Sequence, residues 1–142
     1  MTMTRDRRTE LLGQCRLFAG LTADQLGVIG EAAEEVTYPK GRTIVRQGEI
    51  GTGFFVVVSG LARVVRDGVD VARLGPGEFF GELSVLDGGP RIAQVVADDD
   101  TTCLAVASWE LERILLEQPA LSLAILRELA RRLRSVTEAH NH

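Results

Sequence analysis

The sequence predicts a mostly β domain, an antiparallel β-barrel or jelly roll (a double-stranded β-helix), with helices before it and two helices after it. Three observations point there. Between Val36 and Ala107, short runs of Val, Ile, Phe and Leu are punctuated by glycines and by Asp-Gly, the texture of strands joined by tight turns. On either side that texture gives way to helical spacing. The length of 142 residues suits one ordinary domain with a sizeable core rather than two. One domain is therefore expected over residues 1–142, with helices in 1–34, the barrel in 35–107 and C-terminal helices in 108–138.

In chain order, residues 5–15 set Leu11 and Leu12 among charges and read as a short helix. A second helix is expected over 22–33, where Thr22 is placed to cap it and Gln25 to complete a capping box. The apolar elbow Leu17-Phe18-Ala19-Gly20-Leu21 between them reads as core. Strands are expected at 35–38, 43–46, 53–59, 61–66, 69–74, 93–97 and 102–106. Asp67-Gly68 is the strongest hairpin signal, because a type I′ turn wants positive φ at both central residues. Ser59-Gly60 reads as another turn. After Ala107, Ser108 is a natural N-cap for a helix over 109–117, and Pro119 suits the first turn of the next. In that last helix Leu126, Leu129, Leu133 and Val136 form an apolar seam, with Arg127, Arg131, Arg132 and Arg134 largely off it. The seam needs a partner: either the barrel, or a second copy in a parallel two-helix contact.

Composition narrows the function classes. An apolar share of 45% beside 25% charged residues is that of a globular protein. The net charge of -4 argues against general affinity for nucleic acid. Cys15 and Cys103 form no motif, so they are expected as reduced, buried thiols. A barrel-borne metal enzyme needs clustered histidines, and the two present, His140 and His142, stand at the end of the chain. An iron–sulfur cluster calls for more cysteines than two. Neither catalysis nor a cofactor is expected. No apolar run approaches a membrane span and residues 1–10 precede no apolar leader, so a cytoplasmic protein without membrane contact is expected.

Residues 75–95, Gly-Pro-Gly-Glu-Phe-Phe-Gly-Glu-Leu-Ser-Val-Leu-Asp-Gly-Gly-Pro-Arg-Ile-Ala-Gln-Val, carry the chemistry. The stretch exceeds an ordinary hairpin loop, and loops of that length are usually functional. Gly81 permits close backbone approach, and residues 82–86 can form a short helix whose first amides face an anion. Arg91 adds a charge-assisted contact to phosphate oxygens. Glu82 would repel that phosphate unless it faces a donor, and a ribose hydroxyl is one. The plain alternative is a salt bridge between Glu82 and Arg91 across a surface loop.

Phe80-Gly81-Glu82-Leu83-Ser84 followed by Pro90-Arg91-Ile92-Ala93 resembles the phosphate-binding cassette, residues 80–93 here, of the cyclic nucleotide-binding domain family. Upstream, Gly41, Val45-Arg46-Gln47-Gly48-Glu49 and Phe55-Val56-Val57-Val58-Ser59-Gly60 resemble that family's early strands and turns. Downstream, Gln118-Pro119 and Leu129-Ala130-Arg131-Arg132-Leu133 resemble the hinge and long helix of bacterial catabolite activator relatives. The resemblance implies that Glu82 holds the ribose 2′-hydroxyl, that Arg91 pairs with the cyclic phosphate, and that Gly81, Leu83 and Ser84 line the cassette. It also implies that Ala93 is the small residue beside the ligand and that Thr137 stands near the adenine. Ile92 departs from the usual Ala, Ser or Thr, so it makes no hydroxyl contact and crowds the pocket. Because cGMP-selective members tend to carry threonine there, cAMP is the expected ligand and cGMP the less favoured one.

The function so implied is a cAMP sensor that reports occupancy through its C-terminal helices to a second copy or an effector protein. The competing reading is a barrel that no longer binds nucleotide and acts as an interaction module, against which Glu82 and Arg91 stand together. A catabolite activator would continue into a helix-turn-helix; this chain holds none, and direct DNA binding is not expected.

Overall fold

The computed structural model describes residues 3–140. Its elements are α1 (Arg5–Leu12), a 3-10 turn (Arg16–Phe18), α2 (Ala23–Ala32), β1 (Glu34–Tyr38), β2 (Thr43–Val45), β3 (Gly53–Ser59), β4 (Ala62–Arg66), β5 (Val69–Leu74), β6 (Phe79–Phe80), α3 (Glu82–Asp87), β7 (Gln94–Ala97), β8 (Thr101–Ala107), α4 (Ser108–Glu117) and α5 (Pro119–His140). The expected strands all form, within a residue or so of their expected ends.

The strands make two four-stranded antiparallel sheets, ordered β1-β8-β3-β6 and β2-β7-β4-β5. The expected barrel is thus open, a jelly roll of two sheets, because the chain changes sheet at each connection except the β4–β5 hairpin and, among the described residues, no ladder joins the sheet edges. At the β4–β5 hairpin, φ is +52° at Asp67 and +79° at Gly68, as a type I′ turn requires.

Burial explains why β3 and β8 read as nearly unbroken apolar runs. Phe54 and Val56 of β3, with Leu104 and Val106 of β8, face a core shared with Leu12, Phe18, Ile29 and Ile114 of the helical layer. Val57 and Cys103, the alternate positions, face the space between the sheets with Phe80 and Val95. Strands covered on both faces lose the polar alternation. By contrast β5, at a sheet edge, is exposed along nearly its whole length and keeps charged residues. Cys15 and Cys103 are free and buried; burial pushes the first thiol up to about 11 and the second to about 12.

α2 starts as the sequence predicts. The Gln25 amide donates to Thr22 Oγ1 at 3.2 Å, and the Thr22 amide donates to Gln25 Oε1 at 2.9 Å. Replacing Thr22 by alanine removes this reciprocal cap and is expected to cost about 1 kcal/mol. In a thermal scan followed by circular dichroism that is a fall in Tm of about 3 °C; an unchanged Tm would contradict it.

The α4 start differs from expectation. Ala107 is the N-cap and makes no side-chain cap, while Ser108 is the first helical residue. The Ser108 amide is satisfied instead by the Thr52 carbonyl at 2.8 Å, so tertiary contact replaces the local cap. In α5 the single expected seam divides into two faces. Leu121 and Ile125 are buried and Leu129 packs against the helical-layer core, whereas Leu126, Leu133 and Val136 are exposed together with Leu123. Among the described residues, no helix is long and apolar enough to cross a membrane. His142 lies outside the described residues.

Candidate ligand-binding site

Residues 75–95 fold into more than a loop, holding β6 and α3. A two-residue strand has no alternation to read, which is why the sequence did not reveal β6. Its pairing with β3 stacks Phe80 on Phe55, centroids 4.9 Å apart and planes within 10°, and Phe80 with Phe79 forms a wall of the site.

Arg91 stands at the centre. Its backbone is clamped by the β2–β3 connection: the Gly48 amide donates to the Arg91 carbonyl and the Arg91 amide to the Glu49 carbonyl, both at 2.8 Å. The residue is only 7% exposed. Its Nη2 donates to the Gly53 carbonyl at 2.8 Å, and the guanidinium lies 6.0 Å from the Phe55 ring centroid. Two glycines make room for it. A Cβ on Gly51 would lie 2.5 Å from the guanidinium carbon, and one on Gly81, whose φ is +92°, would lie 2.5 Å from Nη1. Nη1 is buried and has no hydrogen-bond partner in the protein. Burial lowers the guanidinium's pKa, and Glu82 opposes that in part.

Glu82 opens α3, with Gly81 as its N-cap in the left-handed region. Its Oε2 is buried without a hydrogen-bond partner. Burial pushes the carboxyl above the usual carboxylate range, against smaller pulls from its own backbone amide, Arg132 and Arg91. Glu82 and Arg91 form no ion pair within 4.0 Å. The surface salt bridge that offered the plain alternative is therefore not formed, and neither group is a solvated surface charge.

Both side chains line one cavity of about 200 Å³ between the sheets, to which Gly81, Ser84, Ile92 and Ala93 also contribute. Val64, Leu74 and Val95 supply an apolar wall from the second sheet. The arrangement offers an acceptor and a cation on one hollow, with aromatic and aliphatic surface between them, and can hold a ligand bearing a donor and an anion.

Of the residues expected at the site, Gly81, Glu82, Ser84, Arg91, Ile92 and Ala93 come together. Ser84 is buried; Ile92 lines the cavity while 57% exposed, so it sits at the mouth rather than inside. Leu83 lies in α3. Thr137 is exposed and is not among the cavity's lining residues. α5 reaches the site one turn and more earlier, through Arg132, whose guanidinium lies 4.5 Å over the Phe79 ring. With Glu82 and Arg16 it lines a second hollow of about 140 Å³. Sequence reading set Arg132 aside as off the seam. Its signal was present, since Leu121, Ile125, Leu129 and Arg132 follow one another at steps of four, four and three, the spacing of one helix face. Gly51 and Gly53 were also missed, because their roles arise from a clamp across 38 or more residues of sequence.

The family model described as "Cyclic nucleotide-binding domain" matches residues 35–118, more than half of the chain and the part containing both sheets and the cavity. The chain belongs to the cyclic nucleotide-binding domain family. It is 36% identical over 123 residues to the cyclic AMP receptor protein of Thermus thermophilus, covering 83% of this chain and 57% of that one. It is 28% identical over 130 residues to a CRP-like cAMP-activated global transcriptional regulator of Mycobacterium tuberculosis, covering 88% of this chain and 58% of that one. The chain thus spans under two thirds of the length of these relatives. Among solved structures it is similar to the N-terminal domain of a transcriptional regulator from Streptomyces coelicolor, with a TM-score of 0.81, 34% identity, and coverage of 93% of this chain and 96% of that one.

Proposed function

We propose that the chain binds cAMP in the 200 Å³ cavity, performs no chemistry on it, and reports its presence through α5. One observation carries this reading: a buried guanidinium with a free Nη1 and a buried carboxylate with a free Oε2 line the same hollow without pairing to each other. Buried polar atoms left unmatched cost free energy unless something else satisfies them. Arg91 meets the cyclic phosphate, Glu82 accepts a hydrogen bond from the ribose 2′-hydroxyl, and the amides that open α3 add donors. Ile92 at the mouth has no hydroxyl to offer a guanine, which favours adenine. The relatives named for cyclic AMP support the same ligand.

Transmission rests on Arg132, which ties α5 to Phe79 beside Glu82. A ligand that engages Glu82 changes the field at Arg132 and biases where α5 lies, a population shift rather than a new fold. The exposed face of Leu123, Leu126, Leu133 and Val136 is where a second copy or an effector reads that change, in the cytoplasm. Isothermal calorimetry with cAMP, cGMP and 5′-AMP, paired with hydrogen exchange of residues 108–138, tests the proposal. cAMP is expected to bind tightest and to alter exchange in α5. Absence of cAMP binding overturns the ligand, and identical exchange with and without saturating cAMP overturns the transmission.

The raised pKa of Glu82 gives binding a pH dependence. The ionised carboxylate accepts the hydroxyl hydrogen bond more strongly than the neutral acid does, so affinity is expected to fall as pH drops through Glu82's range, earlier than for an ordinary carboxylate. Stability of the ligand-free chain runs the other way: its folded pKa is raised, so the folded state holds the extra proton, and stability declines as pH rises through that same window. Calorimetry from neutral pH downward checks the first effect, and Glu82→Gln should remove it.

A further inference from the structure

On the far side of Arg91 from the cavity, a groove of about 660 Å³ opens where the end of α2, the β2–β3 connection and the start of α4 meet. Its walls carry four carboxylates. Glu31 and Glu110 are engaged by Arg5 at 3.1 Å and Arg113 at 2.9 Å. Glu34 and Glu49 are exposed and, among the described residues, have no ion-pair partner within 4.0 Å. Against them, Arg46 is the one exposed cation among the described residues that line the groove.

Beside these carboxylates stands Trp109, the only tryptophan of the chain, 65% exposed. Its side chain stands largely outside the core, although α4 buries Leu111 and Ile114 two and five residues on. Single exposed apolar residues and acidic clusters are each ordinary on a protein surface. Here an open indole, exposed Ile50 and unpaired carboxylates share one concave surface. An indole face and a carboxylate both attract a cation, and a concave site lets them act on the same one.

We infer that this groove docks a basic segment of a partner protein, with a lysine or arginine side chain over Trp109 and its charge met by Glu34 and Glu49. Charge decides the occupant: four carboxylates line the groove against Arg46 and the buried Arg91, and this negative excess disfavours acidic segments and gives neutral ones little to pair with. The inference is independent of the nucleotide reading, since the groove's carboxylates do not line the cavity.

Trp109 makes the test direct, because all tryptophan emission arises in the groove. A hexapeptide alternating arginine and leucine is titrated into the full chain, beside a counterpart with glutamate in place of arginine. A saturable emission change is expected with the arginine peptide only. Glu34→Gln combined with Glu49→Gln should weaken it by about fivefold or more, with an unchanged far-UV circular dichroism spectrum and Tm as proof of an intact fold. If that variant does not fold, Trp109→Ala, read by anisotropy of the fluorescein-labelled peptide, should show the same loss. No saturable response, an equal response to both peptides, or undiminished affinity in the variants would overturn the inference.

Discussion

Replacing Phe54 with alanine is expected to destabilise the chain by about 3–5 kcal/mol, a large share of what a domain of this size has to lose. Phe54 is fully buried near the start of β3. Its ring meets Phe18 edge-on, centroids 5.8 Å apart at 66°, and Phe79 at 5.8 Å and 48°. The first contact joins the sheet to the 3-10 turn between α1 and α2; the second joins it to the strand that leads into the cassette. Truncation leaves a cavity at that junction which neighbours on two layers cannot both fill. Thermal unfolding should show Tm lowered by about 10 °C or more. Since Phe79 carries Arg132, cAMP binding should weaken as well. A loss below about 1 kcal/mol would mean that the core repacks freely there.

Arg91→Ala should separate binding from stability. Loss of a charge-assisted contact to phosphate is worth about 1.5–3 kcal/mol, tenfold or more in affinity. The ligand-free fold should change much less, because two effects oppose each other. The Gly53 carbonyl loses its 2.8 Å donor, while a guanidinium whose pKa is lowered by burial no longer has to be kept from water. Arg91→Lys should fall between, keeping the charge but not the fork that reaches both Gly53 and a second oxygen. Calorimetry and thermal scans on the same three samples read the split. Affinity and Tm falling together in Arg91→Ala would make the residue a structural strut.

The strands were legible because each carries its own signal: β-branched runs, glycine corners and the Asp67-Gly68 hairpin. The capping box of Thr22 and Gln25 was legible for the same local reason. What sequence could not reveal depends on distant partners. Ser108 has the chemistry of a cap yet is satisfied by Thr52, and β6 exists only through β3. The site divides the same way. Glu82 and Arg91 announce themselves by charge amid glycines, whereas Gly51 matters only because Arg91 folds across it. Thr137 rests on the resemblance alone; the face of α5 that meets the cavity's neighbourhood is set by where Leu121 and Ile125 dock, and that face presents Arg132.

A crystal structure grown with cAMP bears most directly on the pairing of roles. The cyclic phosphate is expected within hydrogen-bond distance of Arg91 Nη1, and the ribose 2′-hydroxyl within hydrogen-bond distance of a Glu82 carboxylate oxygen, in the same copy of the ligand. A nucleotide bound elsewhere, or one that leaves either group unmatched, would contradict it.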